Sequence, residues 1–221
     1  MRRIVFSLAL VLCAAVLAAP AARAMGIPPH PGSDKGFTSL EDLVAGESLT
    51  SGNGELVFSD FEVFVSGSLN GNLGYYRVVT LDDGFAITGP IAAADGNAGD
   101  LLVRYTVTST SPITQAHLLF NGVASGKGSS ASVVDTYDEP LDVELFVFST
   151  GEGGKQRTDS LDLEGFTTLR VTKDILVDSK SPGDWVAISW IEQTFTSAPE
   201  PATLLLIGLA LAAVSGARRR A

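Results

Sequence analysis

Nucleophilic catalysis by a serine, histidine and acid set needs an imidazole, and the chain offers two, His30 and His117. His30 lies among prolines in "PPHPG", the setting of a solvated side chain. His117 lies in "ITQAHLLFNG", where strand alternation puts Ile113, Gln115, His117 and Leu119 on one face. With no nucleophile motif beside it, His117 reads as a rim or partly buried histidine rather than a general base. The count also excludes a histidine-rich metal centre. Carboxylates are plentiful, but no pair stands out at a spacing that would mark a glycosidase. In "DGNAGD", Asp95, Asn97 and Asp100 offer hard oxygen ligands of the kind Ca²⁺ prefers, without the distant bidentate glutamate of a complete loop. The same residues serve ordinary connection loops, which is the first reading, with calcium second. "SGNG", "NGNLG" and "GEGG" do not cradle phosphate, since none leads from a strand into a helix. These residues predict no enzyme and no cofactor, with calcium the one weak metal candidate.

The elements that must position such groups lie between two apolar ends. Arg2 and Arg3 precede an uncharged run from Ile4 to Ala19, followed by Pro20 and the triplet Ala22-Arg23-Ala24. A positive region, an apolar core and an A-x-A site compose a secretory signal peptide over 1–24, with cleavage after Ala24. Cys13, the only cysteine, falls inside it, so the mature chain is expected to lack disulfides and thiolate chemistry. From Met25 to Ala198 there are 9 Lys plus Arg against 24 Asp plus Glu, a formal charge of −15. Such a surface repels nucleic acid and anionic lipid.

Residues 25–37 are rich in proline and glycine and predict a flexible lead-in. "TSLEDLVAG" follows, with Thr38 three residues ahead of Glu41 at capping-box spacing, Leu40, Leu43 and Val44 on one face, and Gly46 as a stop. One short helix is expected there. From residue 55, β-branched and aromatic runs alternate with Gly, Asn, Asp and Ser clusters. In "DLLVRYTVTST", Leu101, Val103, Tyr105 and Val107 form an apolar face opposite Leu102, Arg104, Thr106 and Thr108. About nine such strands predict an all-β fold over 38–197, an antiparallel β-sandwich or jelly roll with one short N-terminal helix. In the last strand, Val186, Ile188 and Trp190 are assigned to one face and Trp185, Ala187 and Ile191 to the other, with the tryptophans read as packed.

Residues 198–221 close the chain. From Pro201 to Ala217 there are 17 uncharged residues, then Arg218, Arg219 and Arg220. As a helix this span reaches about 25 Å, just short of the ~30 Å hydrocarbon core, so a C-terminal transmembrane helix is expected with its arginines on the cytoplasmic side. Pro201 suits the first helical position and holds Glu200 extended; Pro199 fixes its own φ just upstream. Glu200 is costly to bury in hydrocarbon, so the motif is expected at the outer membrane edge, open to a protease.

Pro199-Glu200-Pro201, the leucine-rich span and the arginine cluster, in that order, resemble the PEP-CTERM sorting signal. "VTKDI" followed by an "AIS…QTF" strand resembles the end of a group of PEP-CTERM proteins with a β-rich domain of unassigned function. The resemblance implies processing by an exosortase, a membrane transpeptidase or protease, after a transient stay in the inner membrane. It also implies delivery to the cell surface or extracellular matrix, in a biofilm or exopolysaccharide setting. A structural surface protein is the first functional expectation. A carbohydrate-binding module, Ca²⁺-dependent or not, is the alternative, with Trp185, Trp190, Tyr75 and Tyr76 as its aromatic candidates.

Overall fold

The computed structural model describes residues 37–138 and 141–198. The predicted signal peptide with Ala22 and Ala24, the lead-in up to Gly36, and the tail with Pro199, Glu200, Pro201 and Arg218 to Arg220 lie outside the described residues. Among those described, no helix is long and apolar enough to cross a membrane.

Two long strands organise the rest. β7 (Ala98–Ser125) and β11 (Thr158–Asp178) run antiparallel to one another and bend, so that each serves two layers of a sandwich. The first layer runs β2 (Leu49–Thr50), β3 (Leu56–Gly67), the first half of β7, the second half of β11, β8 (Ser130–Tyr137), β9 (Val143–Thr150) and β10 (Lys155–Gln156). The second runs β1 (Phe37–Ser39), β4 (Arg77–Leu81), β5 (Gly84–Thr88), β12 (Trp185–Ser197), the second half of β7 and the first half of β11. β6 (Ile91–Ala94) pairs with the start of β12. Every pairing is antiparallel, as the alternation predicts.

The bend is where local sequence reading fell short. "DLLVRYTVTST" and "ITQAHLLFNG" read as two strands, yet β7 continues through both. Across the bend the β11 register jumps from Thr168 opposite Thr108 to Phe166 opposite Ile113. Pro112 sits there, at a bulge, where a missing N–H interrupts no ladder. Its carbonyl accepts the Ala198 N–H at 2.7 Å. Gly165 supplies the positive φ of 91° that the β11 side of the corner requires. Strands that change sheets through bulges are the usual way to make such corners. The phase also shifts here: Ile113 is buried, whereas Gln115, His117 and Leu119 are only partly so, and the four do not share one face.

Between the layers, Leu101, Val103, Tyr105 and Val107 are all at most 1% exposed, so the predicted apolar face is the core face. An aromatic cluster links the layers: Phe58 meets Phe85 edge-on with centroids 4.9 Å apart, and Tyr105 meets Phe85 at 5.2 Å and stacks on Phe61 at 5.5 Å. Such geometries are those the ring quadrupole favours.

The short helix is present as α1 (Leu40–Val44), but its cap is Ser39, not Thr38. Ser39 Oγ accepts the Asp42 N–H, and Asp42 accepts the Ser39 N–H at 3.1 Å, a capping box one residue later than expected. Thr38 is occupied in β1, which fixes where the helix can start. Leu40 and Leu43 are buried, while Val44 is exposed.

Candidate functional site

The sequence-named residues go to different places. Asp95 and Gly96 both have positive φ, 56° and 81°, which suits a two-residue turn between β6 and β7. Asp95 Oδ1 accepts the Gly183 N–H at 2.8 Å, and Asn97 Nδ2 donates to the Ala94 carbonyl at 2.7 Å. Asp100 belongs instead to β7, on the outer face beside Asp174. The three candidate calcium ligands therefore serve separate local roles. Among the described residues no group of three or more His, Cys, Asp or Glu is placed to hold a metal ion. His117 Nε2 lies 3.4 Å from Thr196 Oγ1, longer than the ~2.6–3.2 Å of a nucleophile and its base.

The four candidate aromatics also separate. Tyr76 is fully buried and its hydroxyl donates to the Asn70 carbonyl at 2.8 Å, whereas Tyr75 is 57% exposed. Trp185 is 48% exposed, not packed as the sequence reading had it, and lies opposite Ser125 at the start of β12. A register shift between Ile188 and Trp190 changes the phase of the strand. Ile191 therefore joins Val186 and Ile188 in the core, and Trp190 turns to the side of its partner Asn121. Its indole N–H donates to Glu192 Oε2 at 3.2 Å, and Arg157 Nη1 donates to Asn121 Oδ1 at 2.8 Å nearby.

What sequence reasoning missed is the outer face of the first layer. Cross-strand registers align Phe64, Leu102, Asp174, Val134 and Phe146 in one row over β3, β7, β11, β8 and β9. The adjacent row is Ser66, Asp100, Leu176, Ser132 and Phe148. Phe64 is 58% exposed, Phe146 39% and Leu176 38%, and Phe146 stacks on Phe148 at 5.4 Å with an interplanar angle of 18°. Arg104 lies over the Phe64 ring at 6.0 Å and 3.8 Å from Glu62. At the centre, burial and the Asp100 carboxyl beside it push the Asp174 carboxyl up. No donor among the described groups reaches Asp100 Oδ1, and a proton held by Asp174 supplies one. The face thus combines open aromatic rings with hydrogen-bonding carboxyls and a cation. Phenylalanines at every second position of β9 were visible in "ELFVF"; their lack of a covering layer was not.

A second cluster lies between the layers. Lys173 and Asp135 face each other on β11 and β8 and are both 0% exposed. Lys173 Nζ donates to Asp135 Oδ1 at 2.6 Å, to Oδ2 at 2.7 Å and to Gln193 Oε1 at 3.0 Å. Gln193 Nε2 in turn donates to the Tyr137 hydroxyl at 3.2 Å and the His117 carbonyl at 3.1 Å. Burial pushes the Asp135 carboxyl up and the Lys173 amine down, and their mutual attraction only partly offsets it. The one available signal was phase: Lys173 occupies an inward position between Val171 and Ile175. Lys173 and Gln193 are also the polar residues inside "VTKDI" and "QTF".

Fold and faces together define an all-β, antiparallel sandwich domain with an open aromatic sheet face and a charged core cluster. The chain carries a PEP-CTERM protein-sorting motif: the family model of that description matches residues 197–220, beginning where β12 ends. No curated protein matches the chain. Among solved structures it is similar to TmCBM61 in complex with β-1,4-galactotriose, at 11% identity over 62% of this chain and 88% of that one, with a TM-score of 0.33. It is also similar to the C-terminal CBM6 of the laminarinase LamC from Zobellia galactanivorans, at 11% identity, 61% and 99% coverage and a TM-score of 0.28. A third is the xylan-binding module CBM15, at 11% identity, 65% and 98% coverage and a TM-score of 0.28.

Proposed function

We propose that this chain is an exported exosortase substrate, held briefly in the inner membrane by its tail and then released to the cell surface or extracellular matrix, where its β-domain has a structural, non-catalytic role. The observation that carries this reading is the continuity between the last strand and the sorting motif. β12 is paired on both sides, with β5 and β6 on one and β7 on the other, and it ends at Ser197, where the motif begins. No spacer separates the folded domain from Pro199-Glu200-Pro201, so the domain folds next to the processing site. Mass spectrometry of the protein recovered from the envelope and medium tests it. A product ending near Pro199 is expected; a mature chain retaining Arg218 to Arg220 in both fractions would count against processing.

A second reading is favoured by the outer face of the first layer. Open aromatic rings beside carboxyls and an arginine suit a polysaccharide, whose sugar rings present apolar C–H faces and hydroxyl edges. On a glycan array with and without Ca²⁺, the carbohydrate-binding reading expects binding that Phe146→Ala abolishes and Trp185→Ala leaves intact. Loss with Trp185→Ala alone would move the site to the second layer, and no binding would leave the structural role by itself.

A further inference from the structure

The Lys173 and Asp135 pair is unusual for a core, because neither charge reaches water and the carboxylate receives both of its hydrogen bonds from one amine. Sequestered ions of this kind repay their desolvation poorly, and a simple hydrophobic pair would serve packing as well. The same geometry suits a reaction. A carboxyl carbon lies between its two oxygens, so an amine nitrogen 2.6 Å and 2.7 Å from those oxygens stands within the ~3–3.5 Å of that carbon required of reacting atoms. The two side chains come from directly opposed positions of adjacent strands, so the sheet holds them there in the folded state. We propose that Lys173 and Asp135 condense into an intramolecular isopeptide bond that staples β8 to β11.

The reaction balances without any further reagent. Proton transfer from the ammonium to the carboxylate gives a neutral amine and a carboxylic acid, the pair of forms that burial favours. The Nζ lone pair adds to Asp135 Cγ, the C–OH bond breaks, and the hydroxyl departs with an amine hydrogen as water. The product is a neutral secondary amide, which removes both buried charges. Gln193 Oε1 already accepts one Nζ hydrogen, and a secondary amide retains one to donate. The sandwich is otherwise without a covalent brace, since the only cysteine of the chain, Cys13, lies outside it.

The test is peptide mapping of the purified full chain, denatured and digested with trypsin. The expected result is one branched peptide containing both Asp135 and Lys173, one water lighter than its two parts, with no cleavage after Lys173. Chain kept in urea from lysis onward is expected to give the two linear peptides, because only the fold aligns the reacting atoms. Full recovery of a linear peptide cleaved after Lys173 from folded protein would overturn the proposal. So would a water loss that maps to Asp95-Gly96 as a succinimide while Lys173 stays free. Lys173→Met and Asp135→Ala, where they fold, should restore the full mass.

Discussion

At the scale of single residues, the described core holds polar groups whose protonation the fold controls. Asp174 has its carboxyl pushed up by burial and by Asp100, so the folded state holds a proton that the unfolded chain releases. Stability contributed by this group is present at low pH and is lost as pH rises from the ordinary carboxylate range through the raised value. Asp174→Asn should therefore raise the melting temperature at pH 7 and bring no gain at a pH below that window. A melting scan across pH checks it, and equal gains at every pH would refute the assignment. Tyr105 is a second case: its hydroxyl is buried with no hydrogen-bond partner, which costs about 1–3 kcal/mol. Tyr105→Phe is expected to be neutral or stabilising by about 1 kcal/mol in denaturant unfolding, against the loss usual for a core substitution.

At the scale of elements, close backbone approach decides where the sheets can tolerate a side chain. Gly84 opens β5 directly against β12, and a Cβ there would meet the Gln193 carbonyl. Because the obstacle is backbone, it cannot turn aside, and Gly84→Ala should cost the upper part of the ~1–3 kcal/mol typical of overpacking. Circular dichroism melts read this directly. Gly122 is less constrained, since its Cβ would meet only the Phe120 ring. The cap of α1 is the milder counterpart: Ser39→Ala removes the acceptor of the Asp42 N–H and should cost about 1 kcal/mol. Side chains also close the open edge of β9, where Asp159 accepts the Phe146 N–H at 2.9 Å and Gln156 donates to the Phe146 carbonyl at 2.9 Å. An edge satisfied in this way resists pairing with a further strand.

At the scale of the whole molecule, the sandwich and the sorting motif are joined without a spacer, and the prediction concerns the fate of the chain. Glu200→Ala with Pro201→Ala should leave the tail attached and the protein in the membrane fraction, with the melting temperature of the β-domain unchanged. Immunoblots of membrane and medium, beside melts of the solubilised protein, read both effects. The sorting motif and the all-β class were legible in the sequence because both are local: motif order, uninterrupted hydropathy and period-two alternation each survive without any long-range contact. Only the tertiary structure decided the faces. The bulge after Ile188 reversed the side of Trp190, the bend at Pro112 joined two expected strands into β7, and the absence of a covering layer left Phe64 and Phe146 open. Lys173, Asp135 and Gln193 stand on three different strands, and nothing in their local patterns pairs them. Their meeting is a product of register and layer packing, which depend on contacts far apart along the chain.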